Sequence, residues 1–519
     1  MTIYNRVKLL VPVLVFLTGC DKNFESINTN PYAFTNINPA QLFANAQRLT
    51  STGSWEGEPT IVQQFVNAYN TGATAGFNFN EDNNNFNVPR WNDNYPGPVK
   101  LLEQTTSLVE ADDARSNLKN MTRIWKSYIY MTLVDTYSDI PYSDAGKAYL
   151  QNNFYPKYDK DEVIYDELYK EIKAATGALN PSGDLVKEDL FFGTAATAAV
   201  QVAQWKKIGY SVLFRLGMRY SKIDQNKAKS IVQEAYQGGL IQSNNDNVFI
   251  VFNAIYNNPL NTGPRGTNPY FYYLAEPFIN KLKTTGDPRL KYISGKYGDP
   301  NQVLALTPDT TTGNQYGFPV GYDQTSVLTL PGYRGTNGTG QNYSQLNFLV
   351  LGSATAPVFY ITNAQTRLLL AEAAYRGWLT GLPGVLTAQQ YYETGVKASM
   401  DDYNRYPNTP NPAIPVNLQD NYLAQAGVTY SSANALELIN TQYWIVSVAN
   451  GAESFANFRR SGYPVLSPNK YNNNLQGGFA RRFAWPNEES ARNSANYQEA
   501  VASIGGTDNL TTRVFWDAP

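Results

Sequence analysis

Apolar residues recur at spacings of three and four over much of this chain, which places them on single faces of α-helices. Leu118, Met121, Trp125, Tyr128, Ile129 and Leu133 form one such series, ending near Asp139-Ile140-Pro141, where proline cannot continue a helix. Ile164, Leu168, Ile172, Ala175 and Leu179 form a second, stopped by Asn180-Pro181-Ser182-Gly183. Trp205, Ile208, Val212 and Leu216 are followed, after a short turn, by Ala228, Ile231, Val232 and Ala235, with Gly238-Gly239 as the stop. The same period returns at Ala275–Lys283, Gln365–Trp378, Gln389–Asp402 and Leu436–Ala449.

Nearer the start, Asn38-Pro39 supplies an N-cap and a first-position proline for a helix through Gln41–Leu49. A further helix is expected near Ile61–Tyr69. Helix, short turn, helix is the repeated unit, so the pattern predicts a mainly α fold of helical hairpins packed like tetratricopeptide units, without a sequence repeat of that period. Between Gly72 and Pro98 the chain is Asn-rich and aromatic (Phe77, Phe79, Phe86, Trp91, Tyr95) with no sustained period, and reads as a long ordered loop. Trp91 has a second reading, as a core residue opening a helix with Tyr95 one turn later. Residues 240–360 and 464–519 are loop-rich, with a few short strands. Gly335–Gly340 looks superficially like a phosphate loop, but it lacks the Lys-Ser/Thr that would hold phosphate and metal and reads as a flexible surface loop.

The amino terminus is of a different kind. Arg6 and Lys8 precede an apolar run, Leu9–Leu17, that falls well short of the roughly 20 residues a membrane-spanning helix requires. It is a signal-peptide core rather than a span. Leu17-Thr18-Gly19-Cys20 closes it, and Cys20 is the only cysteine in the chain. This stretch resembles the lipobox of bacterial lipoproteins, whose thiol is the nucleophile that takes the lipid. The competing reading is a secretory signal ending in a chance cysteine. Residues 1–19 are therefore assigned to the signal, 20–38 to a lipidated tether and 39–519 to a single domain.

Composition narrows the chemistry. Formal net charge is −2 over 519 residues, and removal of Arg6 and Lys8 with the signal takes it to −4, which argues against nucleic acid as a partner. There is no histidine, which removes Ser-His-Asp triads and HExxH zinc sites. Paired carboxylates remain conceivable, Asp135 and Asp139 being one helical turn apart, although a polar helix end also needs such groups. Asn80-Glu81-Asp82 offers oxygen ligands without the order of a calcium loop, so no metal or other cofactor is expected. The 38 tyrosines, 8 tryptophans and low charged fraction of 16% instead suit an uncharged polar ligand.

Several stretches taken together are similar to the SusD/RagB family of bacterial outer-membrane lipoproteins. These are Asn28-Thr29-Asn30-Pro31, Leu133–Ala145, Tyr155–Asp159, Trp205–Lys207, Leu213–Arg219, Asp287–Leu290, Leu369–Trp378, Glu453–Pro464 and Trp485–Glu489, in this order along the chain. Phe455 stands where tryptophan is expected, and Thr136-Tyr137-Ser138 where Tyr-Gly is expected. The resemblance implies a SusD-like fold and a lipid-anchored, surface-facing outer-membrane protein. Such a protein acts as the hinged lid of a SusC-like TonB-dependent β-barrel transporter, captures oligosaccharides or in some members peptides, and is not an enzyme.

Two other classes stay open: a lid-like structural subunit without a ligand, and a glycoside hydrolase. In the family the ligand site draws on the parts of the chain corresponding to Trp55–Tyr95 and Gly332–Gly340. Candidate ligand residues are accordingly Trp55, Phe79, Arg90, Trp91, Tyr333 and Arg334, with Cys20 for lipidation. Arg215 with Arg219, and Arg459-Arg460 with Glu453, are expected to tie helices together.

Overall fold

A computed structural model describes residues 37–50, 57–69, 76–261, 269–470 and 474–519. The signal, Cys20, nearly all of the tether and Trp55 lie outside these residues. Helix α1 (Pro39–Leu49) starts as its sequence requires: the Asn38 side chain accepts from the Ala40 N–H, and Pro39 occupies the first turn, where its missing N–H costs nothing. It packs on α2 (Lys100–Val109), which leads into α3 (Ser116–Tyr137). Helix α3 is buried around most of its circumference, so its apolar stripe understates its burial. It packs on α2, on α4 (Asp161–Gly177) and on α5 (Ala198–Arg219).

Helix α5 pairs with α6 (Gln225–Gly238), whose first turn is capped by Asp224 and whose end is released by Gly239 at φ +96°. At the crossing of α4 and α5, a Cβ on Gly209 would lie 2.0 Å from Thr176 Oγ1, so only glycine lets the two backbones approach. After α7 (Glu276–Thr284) come α8 (Asn363–Tyr375) and α9 (Ala388–Asp401), an antiparallel pair each opened by a Thr-x-x-Gln capping box, Thr362 with Gln365 and Thr387 with Gln390. Helices α10 (Val416–Leu423), α11 (Ala435–Val446), α12 (Gly451–Ser461) and α13 (Ser494–Ser503) complete the scaffold. One buried hydrophobic cluster runs from Ala40 to Trp516.

The strands are short and paired antiparallel in twos: β1 (Phe65–Asn67) with β5 (Tyr272–Leu274), β2 (Ile140–Pro141) with β3 (Tyr158–Asp159), and β4 (Val248–Ile250) with β10 (Val358–Ile361). Likewise β6 (Ser294–Gly295) pairs with β9 (Gln345–Leu346), and β7 (Thr336–Asn337) with β8 (Gly340–Gln341). They staple loops to the helical scaffold and form no barrel.

Three of the expected elements differ. The helix expected near Ile61–Tyr69 is a single turn, Glu58–Ile61, followed by β1. Gln63 at φ +54° breaks the helix, and the remote partner β5 draws Phe65–Asn67 into a ladder. The second half of the expected Gly72–Pro98 loop is helical, over Asn84–Asn87, Pro89–Asn94 and a π turn at Tyr95–Val99, its period hidden by Gly97 and Pro98. Gly335–Gly340 is a tied hairpin rather than a flexible loop: Thr339 donates to Asp299 from both its N–H and its hydroxyl. The section after residue 464 holds α13 among mostly irregular segments.

Charged residues knit the scaffold. Arg219 of α5 pairs with Glu453 of α12 at 2.8 Å and with Asp135 of α3 at 3.2 Å, and Arg215 reaches the same Glu453 oxygen at 3.3 Å. The expected partnership of Arg459 and Arg460 with Glu453 does not form. Arg460 pairs with Glu372 of α8, while Arg459 donates to the backbone carbonyls of Asp135 and Arg481, because successive residues on one helix point to different neighbours.

Candidate binding site

The two stretches named as candidate ligand loops come together around the β1–β5 ladder. Beyond the end of that ladder, the Ala68 N–H donates to the Phe271 carbonyl at 2.7 Å, which brings Tyr69 onto Phe271 with ring centroids 4.5 Å apart. Asn67 and Asn78 exchange a pair of hydrogen bonds at 2.9 and 2.8 Å, and Phe77 lies 6.0 Å from Tyr69. Tyr270 adjoins Phe271 at 4.2 Å. Tyr69, Phe77, Tyr270 and Phe271 are each half-buried, so the array is held from behind while part of it faces solvent.

The β7–β8 hairpin closes against this array. A Cβ on Gly340 would lie 2.9 Å from Tyr270 Cβ, so the hairpin backbone packs directly on that residue. A relay of amides joins the two parts: Gln324 donates its N–H to the Ala68 carbonyl, Gln341 Nε2 donates to the Gln324 carbonyl, and the Tyr333 hydroxyl donates to Gln341 Oε1. Beneath the hairpin a small second core forms around Val66, Tyr273, Phe318, Val327 and Tyr343, with Tyr316, Tyr322 and Tyr333 packed against it. Arg334 is exposed and stacks over the Tyr316 ring at 3.7 Å. Partial burial pushes the Tyr333 phenol up, and burial pushes that of Tyr273 up further, so both are neutral at ordinary pH; the Tyr273 hydroxyl accepts from the Gln341 N–H at 2.8 Å.

The sequence-selected residues divide. Tyr333 is half-buried and bonded to Gln341 of the hairpin, and Arg334 is exposed. Phe79, Arg90 and Trp91 are buried, at 4%, 3% and 7% exposure. Phe79 stacks on Phe483 at 4.5 Å, Arg90 forms a buried ion pair with Glu58 at 2.5 Å, and Trp91 packs on Tyr95 at 4.5 Å and edge-on to Tyr137 at 5.3 Å. All three are buried in the core, and the core reading of Trp91 is the one its packing supports. Tyr270 and Phe271 were not singled out from the sequence. Their signal is the run Tyr270-Phe271-Tyr272-Tyr273, an aromatic density unusual for a section otherwise punctuated by proline and glycine.

The carboxylates considered for catalysis are engaged in the scaffold. Asp135 accepts from the Tyr165 hydroxyl, the Trp516 indole and Arg219. Burial pushes its carboxyl up, against the pull of Arg219. Asp139 accepts from the Asp161 N–H and pairs with Lys160 at 3.0 Å. In the Asn80-Glu81-Asp82 stretch, Asn80 accepts from the Gly76 N–H, Glu81 from Asn474 and Asp82 from Asn87. Among the described residues no group of three acidic, cysteine or histidine side chains is placed to hold a metal ion, and no helix is long and apolar enough to cross a membrane. What remains at the array is aromatic faces with neutral amides and hydroxyls, a combination that stacks on sugar rings and matches hydroxyl or amide groups.

Comparison with solved structures gives the same architecture. A chitin-binding protein superposes with a TM-score of 0.76 at 27% identity, over 93% of this chain and 100% of that one. A Bacteroidetes SusD-like protein superposes at 0.77 with 24% identity, over 93% and 100%. A chitin-binding SusD homologue from Flavobacterium johnsoniae superposes at 0.69 with 22% identity, over 92% and 98%. No curated protein sequence matches the chain. Residues 31–486 match a family model, SusD-like, described as starch-binding and associating with the outer membrane, and the chain thus belongs to the SusD-like family.

Proposed function

We propose that this protein is a glycan-binding lipoprotein of the outer membrane, anchored through Cys20 and facing the cell surface. It captures an uncharged oligosaccharide and passes it, as a hinged lid, to a TonB-dependent β-barrel transporter. The observation that carries the ligand reading is the array of Tyr69, Phe77, Tyr270 and Phe271, whose rings lie against one another and are each half-buried rather than enclosed. Rings held in place lose little entropy on stacking, and the neighbouring amides and phenols supply donors and acceptors for hydroxyls. Tyr333 and Arg334 are assigned to the rim of the same site. The chitin-binding neighbours and the family's starch-binding description make β-linked N-acetylglucosamine and α-linked glucose oligomers the first ligands to try.

The test is calorimetry on the full-length protein in mild detergent, with chitotetraose, maltotetraose and a peptide pool. One tetrasaccharide is expected to bind, and Tyr69→Ala with Phe271→Ala to weaken it about tenfold or more, each tenfold being about 1.4 kcal/mol. Binding of peptides alone would replace the glycan reading. A protein that binds none of these yet co-purifies with a β-barrel would be a structural subunit.

A further inference from the structure

A second concavity lies on different elements, between the Asn244–Asp246 turn, the first turns of α8, and the end of α9 with the Asp402–Arg405 turn that follows it. It is an open groove of about 710 Å³, lined by amides and hydroxyls such as Gln242, Ser243, Asn363 and Thr394, and it contains no aromatic ring. Its charge is carried by two arginines without a carboxylate partner. The core arginines Arg90, Arg219, Arg289 and Arg460 each pair with a carboxylate. Arg367 and Arg405, which line the groove, have only neutral acceptors.

Arg367 is half-buried and donates to Asn363 Oδ1 at 2.9 Å, Thr394 Oγ1 at 3.2 Å and the Gln242 carbonyl at 2.8 Å. Burial without a counter-charge pushes its pKa down. Arg405 is exposed, lies over the Phe249 ring at 5.0 Å, and donates to the Asn244 carbonyl and Asn245 Oδ1. Two carboxylates lie near: Asp401, in the lining, accepts from Gln419 at 2.7 Å and acts on Lys397, which is itself paired with Asp420 at 2.5 Å, while Asp402, which acts on Arg405, is pushed by burial up to about 8 and so holds its proton at neutral pH. The positive end of the α8 helix dipole adds to the same field.

Of the five N–H donors on each guanidinium, Arg367 commits three and Arg405 two to neutral acceptors, so each keeps its positive charge and its other N–H groups for a carboxylate. A protein partner would ordinarily seat aromatic or aliphatic anchors, and this lining has no place for them. A hydroxyl-rich ligand uses amides of both polarities, as this lining provides. We propose that the groove is a second binding site, distinct from the aromatic array, for a carboxylate-bearing sugar: a hexuronate unit of an acidic oligosaccharide.

The experiment is calorimetry of the full-length protein with tetragalacturonate at 50 and 200 mM NaCl, with chitotetraose and inorganic phosphate as comparisons. Tetragalacturonate is expected to bind, several-fold more weakly at the higher salt. Arg405→Gln, a surface change, is expected to reduce its affinity about tenfold, and Arg367→Gln by at least as much. If Arg367→Gln fails to fold, Arg405→Glu decides in its place. Tyr69→Ala with Phe271→Ala is expected to leave tetragalacturonate binding unchanged, which separates this site from the aromatic one. Absence of tetragalacturonate binding, indifference to the arginine substitutions, loss of binding in the aromatic variant, or phosphate binding as tightly would each overturn the assignment.

Discussion

Glu372 on α8 and Arg460 on α12 meet through two parallel hydrogen bonds, Nη1 to Oε1 at 2.8 Å and Nη2 to Oε2 at 2.7 Å, with both side chains out of solvent. Burial opposes the charge on Glu372, but Arg460 outweighs it, with further help from Arg376 and Asn440, and holds the carboxyl down to about 2. Removing one partner of such a pair leaves a buried charge uncompensated, which typically costs about 3–5 kcal/mol. Glu372→Ala should therefore lower unfolding free energy by that order in urea titrations. The folded pKa lies below the unfolded one, so the contribution is present in full above about pH 5 and disappears as pH falls toward about 2. A wild-type and variant pair with the same acid profile would contradict this.

Asp402 has the opposite sign. It is buried and accepts from Asn247 at 2.7 Å, with its pKa pushed by burial up to about 8. The folded state holds a proton that the unfolded chain releases, so this residue costs stability progressively as pH rises from about 4 to about 8. Asp402→Asn should remove that decline and be more stable than wild type at pH 8 by roughly 2–5 kcal/mol, with little difference at pH 4. Thermal unfolding across this range would show whether the two curves converge at low pH.

Trp91 and Tyr333 should separate stability from binding. Trp91 packs among Tyr95, Tyr137 and Tyr158, so Trp91→Ala is expected to cost about 3–5 kcal/mol of stability. Tyr333 stands at the rim, where substitution to alanine should cost about 1 kcal/mol or less and act mainly on ligand affinity. Equal destabilisation by the two changes would place Tyr333 in the core instead.

Cys20 should carry the anchor. The apolar segment before it is too short to span a bilayer, whereas two or three acyl chains suffice for stable attachment at about 0.8 kcal/mol per buried CH₂. Cys20→Ala should incorporate no labelled fatty acid and appear in the soluble fraction. Continued labelling would reveal another modification site.

Periodicity in the sequence alone located α3 to α9 and α11, because spacings of three and four are a local consequence of helical geometry. Capping residues marked several ends for the same local reason, as at Asn38-Pro39 and Gly238-Gly239. The ordered blocks from Leu133 to Glu489 pointed to the family through residues that mostly serve the scaffold. Local pattern could not show that Phe65–Asn67 would leave its helical turn to pair with Tyr272–Leu274, some 200 residues away, since the ladder partner is decided by the fold. Nor could it show which aromatics face solvent: Trp91 and Tyr270 are alike as sequence, and only packing against Tyr137 buries one while the β1–β5 ladder leaves the other half-open. The choice of charge partner was likewise tertiary. Arg459 and Arg460 are adjacent in sequence, but the helix turns them about 100° apart, so one meets Glu372 and the other backbone carbonyls.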